Sequence, residues 1–176
     1  MTKFFSTKTI FASIFIIVML FVLLGFWWSF APDTFNVRKN AQDMAAQKGH
    51  QVVTGYTTTS TLIKVTEVML YKNGGYITND VLPPGIFMDN IPAWEFGVLE
   101  MSRDLALSMR KDFSRSQSQS LESPQLVQAQ PYYNNDSNRW ILPSSESRYE
   151  KAVEQLYLYQ VELGSITSSN TQFYAR

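Results

Sequence analysis

The chain has 176 residues, 15 basic and 15 acidic side chains and no cysteine. That excludes a disulfide framework, thiol chemistry and a lipoprotein anchor. Lys3 and Lys8 are the only charged side chains before residue 32, so residues 32–176 hold 13 basic and 15 acidic groups; with no basic stripe to neutralise phosphates, nucleic-acid binding has no support.

Ile10 to Phe30 is a run of 21 residues without a charge, closed by Trp27 and Trp28. At about 1.5 Å rise per residue such a helix covers the roughly 30 Å hydrocarbon core of a bilayer. A signal peptide has a shorter apolar core, about 7–15 residues. Ser29 and Ala31 do have signal-peptidase spacing, but Pro32 would follow the scissile bond. The run therefore reads as a retained signal anchor, with the Trp27 and Trp28 rings at the headgroup level. Lys3, Lys8 and the terminal amine on one side nearly balance Arg38 and Lys39 on the other. Because so little of the chain precedes the span, residues 1–9 are placed in the cytoplasm, 10–30 in an inner membrane and 31–176 outside, in a periplasm.

Residues 31–58 read as a juxtamembrane connector with one short helix around Asn40–Lys48. Residues 59–176 read as an amphipathic helical exterior domain, so the fold class is mainly α. Thr59-Ser60-Thr61 is a plausible N-cap for a helix over Leu62–Lys72, apolar over more than half its girth and stopped by Asn73-Gly74-Gly75. Val81-Leu82-Pro83-Pro84-Gly85 predicts a stiff, non-helical connector. Asp89-Asn90 before Pro92, with Glu95 at the positive end, starts a helix that reaches about Phe113. Its expected buried face is Trp94, Val98, Met101, Leu105 and Met109; Phe96 and Leu107 form a weaker second ridge that suggests a second packing partner. Ser114–Ser123 is a polar loop by composition, and Ser123-Pro124 opens a short helix expected to stop before Pro131. Ser147 and Glu150 have capping-box spacing for the last strong helix. That helix carries a stripe of Tyr149, Ala152, Val153, Leu156, Tyr159 and Leu163 and ends at Gly164. After Ser169-Asn170 a further helix looks barely begun at Arg176, so the domain is expected to be incomplete at its C-terminus.

Several segments occur in an order that resembles an uncharacterised family of bacterial inner-membrane proteins. They are Gly55-Tyr56-Thr57-Thr58, Gly74-Gly75-Tyr76, Asn79-Asp80-Val81 leading into Pro83-Pro84-Gly85, Trp94-Glu95-Phe96-Gly97, Arg103-Asp104-Leu105, the run Arg110–Ser120, and Gln172-Phe173-Tyr174-Ala175-Arg176. The resemblance covers nearly everything after residue 50. It implies a single-span envelope protein whose relatives continue beyond this chain's end, and it transfers no catalytic residue.

The chain offers no catalytic constellation, metal-ligand spacing or cofactor motif. His50, the sole histidine, reads as a solvated loop residue without a second titrating group to work with. Glu100 and Asp104, four apart on a helix, read as a solvated face. The best binding candidate is Tyr132, Tyr133, Asn135, Asp136 and Trp140, because aromatic faces beside amides and a carboxylate are what a glycan surface needs. Its competing reading is an interhelical loop whose aromatics plug the core. The expected function is a membrane-anchored, non-enzymatic scaffold or interaction module, held in the bilayer by residues 10–30 and contacting an envelope protein. The alternative is an envelope enzyme or cell-wall glycan-binding protein using residues 132–140.

Overall fold

The computed structural model describes residues 6–114, 122–165 and 173. Those residues contain six α-helices and no strand: α1 (Thr7–Trp28), α2 (Val37–Lys48), α3 (Tyr56–Tyr71), α4 (Asn90–Ser108), α5 (Pro124–Tyr133) and α6 (Ser145–Gly164). The chain is mainly α, with one N-terminal helix long and apolar enough to cross a membrane. The Ser-Gln repeat at 116–120 lies outside the described residues, as does the expected helical start near the C-terminus apart from Phe173.

No residue of α1 is buried. From Ile10 onward its side chains are apolar on every side but for Ser13, which suits a helix solvated by hydrocarbon rather than by other helices. It ends at Trp28, two residues short of the charge-free run, where the Ser29 hydroxyl donates to the Gly25 carbonyl at 2.8 Å. α2 is longer than its predicted piece because Asn36 caps it, accepting from the Lys39 N–H at 2.9 Å. Gly49 ends it in the left-handed conformation at φ 65°. Ala41 and Ala45, four apart and buried, let α2 lie close against Tyr56 of α3.

α3 begins at Tyr56, ahead of the expected cap. The hydroxyls of Thr59, Ser60 and Thr61 do not cap an N-terminus. They donate instead to the carbonyls of Gly55, Tyr56 and Thr57 within the helix, the alternative open to any Ser or Thr in a helical run. α3 then packs on α2, α4 and α6, and α5 closes against α4 and α6. The shared core includes Leu62, Ile63, Met69, Leu99, Met109, Leu126, Tyr133, Tyr149, Leu156 and Tyr159. The α6 stripe is buried as expected, all six residues of it. Ser144, not Ser147, caps that helix, accepting from the Ser147 N–H at 3.4 Å.

Two expectations are corrected. The buried face of α4 is Ile91, Glu95, Leu99, Ser102 and Ala106; Trp94, Val98 and Leu105 only flank the core, Met101 is exposed, and of the expected face only Met109, just past the helix, is fully buried. The helix is turned by about one residue relative to its apolar stripe, because Glu95 is held inside by partners described below. α5 also runs through Pro131 to Tyr133. Proline removes one N–H, the one that would reach the Val127 carbonyl, and in the last turn that loss is small. Beyond α4 the chain continues as a π-helical turn, Met109–Phe113, closed by the Ser114 N–H on the Met109 carbonyl at 3.0 Å.

Candidate functional site at the end of the apolar helix

The C-terminal turn of α1 meets the exterior domain at two glycines. Gly74 follows α3 with φ +84°, and a Cβ there would stand 2.7 Å from the Trp28 ring. Only glycine supplies both that backbone and that clearance. One turn earlier on α1, a Cβ on Gly25 would come within 3.2 Å of Pro84. Residues 73–89 therefore wrap the end of the apolar helix, and between them lies a cleft of about 520 Å³. Its walls are mostly apolar, with Val18, Phe21 and Val22 on one side and Pro83, Phe87 and Met88 on the other.

A buried ionic clamp fixes this connector. Lys72 and Glu95 form a salt bridge with side chains 2 % and 0 % exposed. Glu95 also accepts from the backbone N–H of Ile77 at 2.9 Å and of Thr78 at 2.8 Å, and from the Thr78 hydroxyl at 2.5 Å. The Lys72 ammonium donates to the Gly75 carbonyl as well. A charge pair out of water persists only when its remaining lone pairs and protons are satisfied, and here the turn 75–78 satisfies them. Close by, burial and the neighbouring Glu146 and Glu95 carboxylates raise the Asp80 carboxyl above its ordinary value, against the pull of Lys72.

Asn79, directly after the turn 75–78, joins this connector to the α5–α6 loop. The Asn79 amide donates to the Arg139 carbonyl at 2.9 Å and to the Glu146 carboxylate at 2.8 Å. The Tyr76 hydroxyl donates to the Ser137 carbonyl at 3.1 Å, and its ring meets Tyr149 edge-on. The Ser145 N–H reaches back to the Arg139 carbonyl at 2.8 Å, so residues 140–144 leave and return at one point.

The residues singled out from sequence are dispersed by this geometry. Trp28 is half-buried on Gly74, whereas Trp27 is exposed. Tyr133 is fully buried, with its hydroxyl 2.6 Å from that of Thr66, and Tyr132 is a half-buried flank of the core. The Asn135 carbonyl accepts from Arg103 at 2.6 Å, and Asp136 accepts from the Asn138 N–H at 3.0 Å. Of the three aromatic residues in this group only Trp140 is exposed. His50 is half-buried rather than solvated: its Nδ1 lies 3.3 Å from the Tyr56 hydroxyl, and the ring covers Gly164. Among the described residues no group of three or more His, Asp or Glu stands close enough to hold a metal ion.

A family model described as an uncharacterized protein conserved in bacteria (DUF2333) matches residues 2–176. The chain belongs to this family. No curated protein and no solved structure matches it. In this DUF2333 protein the residues that sequence reasoning missed are Lys72, Glu95 and Asn79. Lys72 and Glu95 are 23 positions apart on different elements, and no local pattern pairs them. The one available signal was Glu95 itself, which interrupts the apolar positions of α4.

Proposed function

We propose that this DUF2333 protein is a single-pass inner-membrane protein whose exterior part lies in the periplasm and acts as a non-enzymatic scaffold for another envelope protein. The observation that carries the reading is the second ridge of α4. Phe96 and Leu107 share one side of that helix and remain exposed, with Asp104 and the Glu100–Arg103 ion pair between them. An exposed apolar ridge bordered by such polar groups suits a partner with an apolar centre and a polar rim. A photo-crosslinking side chain placed at Phe96 in cells is expected to yield one adduct of defined mass, lost when Leu107 is replaced by aspartate. The same side chain at Gln47, on α2, is expected to yield none. Equal crosslinking at both positions, or none at Phe96, would overturn the reading.

Orientation has its own test. A reporter active only outside the cytoplasm, fused after Arg176, is expected to be active. Replacing Lys3 and Lys8 with glutamate is expected to lower that activity, since those charges retain the tail in the cytoplasm. An inactive fusion in the parent chain would reverse the assignment. The alternative reading, an envelope enzyme or a glycan-binding surface on residues 132–140, would have to work with Tyr132, Asn135, Asp136 and Trp140, because the Tyr133 ring belongs to the core. Retention on purified cell-wall polymer, lost with Trp140→Ala, would favour it.

A further inference from the structure

We propose that the exterior domain itself enters the bilayer surface, through two uncharged loop tips, one lying against α1 and the other held beside the first, that immerse their side chains among the lipids of the adjoining leaflet. The inference rests on the reading that α1 spans the membrane. It adds a second membrane contact that an anchor alone does not require.

The first tip is Val81–Met88, eight residues without a charge between Asp80 and Asp89. It is folded rigidly, with the N–H groups of Phe87 and Met88 on the carbonyls of Pro84 and Gly85 at 3.0 and 2.9 Å. Its large side chains nevertheless point away from the domain: Leu82 is 72 % exposed and Phe87 81 %. The second tip is Trp140-Ile141-Leu142, preceded by the exposed Arg139, and Leu142 is 88 % exposed. Isolated exposed apolar residues are ordinary, but seven on two adjacent tips (Val81, Leu82, Ile86, Phe87, Trp140, Ile141 and Leu142) form a patch that calls for an occupant.

Position supplies the occupant. Pro84 lies against Gly25, three residues inside the Trp28 end of α1, which is about 4–5 Å deeper along the helix axis. The cleft beneath the first tip continues down α1 to Val18, about 15 Å from Trp28 at the same rise. With the Trp28 ring at the headgroup level, this tip sits at the boundary of headgroups and acyl chains, and the cleft opens where acyl chains are the solvent. Asn79 holds the base of the second tip beside the first. Arg139 before Trp140 offers a guanidinium to lipid phosphates above an aromatic and two aliphatic side chains, the order in which those groups partition into an interface.

The absence of cysteine makes depth measurement direct. Four single variants of the full chain, Ile17→Cys, Phe87→Cys, Leu142→Cys and Gln47→Cys, are spin-labelled and reconstituted into phospholipid vesicles. Collisions with oxygen, which concentrates in the bilayer, are compared with collisions with a water-soluble nickel chelate. Labels at 87 and 142 are expected to favour oxygen several-fold over the label at 47, while remaining shallower than the label at 17. If 17 is deep but 87 and 142 match 47, the loop tips are in water and the proposal fails while the span stands. If 17 also matches 47, the span reading fails and carries the proposal with it.

Discussion

Replacing Glu95 with alanine is expected to cost about 3–5 kcal/mol of folding stability, the range for removing one partner of a buried ion pair. The substitution leaves the Lys72 ammonium inside without its counter-charge and strips acceptors from the Ile77 and Thr78 N–H groups together. Replacing both charged residues, with Lys72→Met and Glu95→Leu, is expected to lose less than the sum of the single changes, because no unpaired charge is then buried. Urea unfolding of the full chain in detergent micelles, followed by far-ultraviolet circular dichroism, reads both effects. A loss below about 1 kcal/mol for Glu95→Ala would show that the pair is hydrated and not a clamp.

The second large effect belongs to α6. Leu156 is wholly buried in the cluster shared by α3, α4, α5 and α6, so Leu156→Ala is expected to cost about 2–5 kcal/mol through lost transfer energy and a residual cavity. Lys151, on the exposed side of the same helix, is expected to tolerate alanine within about 0.5 kcal/mol. The contrast checks the burial pattern rather than helix propensity, since both sites lie within one helix. Equal losses at the two positions would contradict the placement of α6.

These two sites also mark what the sequence could and could not reveal. The α6 stripe was legible because its apolar residues recur at helical spacing on a narrow arc, where Ser145 and Gln160 are the buried polar residues. The rotation of α4 was not legible, because the burial of Glu95 depends on a lysine from α3 and two amides from the connector. Those contacts exist only once the chain has folded. Tyr133 posed the same difficulty: a tyrosine in a polar stretch looks available until Thr66, 67 positions away, takes its hydroxyl. Pro131 misled for a different reason, since the rule against proline inside helices weakens in the final turn. The Trp27–Trp28 pair was readable as a boundary, but only the αL glycine at 74 reveals that the two rings have different surroundings.

The seating of Trp28 on Gly74 and of Gly25 on Pro84 has a mechanical consequence. A helix joined to its domain only through the segment 29–36 would be a swivel, and the domain would sample every heading about it. Gripped at two heights about one turn apart, α1 instead behaves as a keyed shaft. Its rotation about its own axis turns the domain with it, and a tilt of the helix, such as a bilayer would impose on a spanning segment, leans the domain by the same angle. The α4 ridge thus keeps a constant bearing relative to the axis of α1.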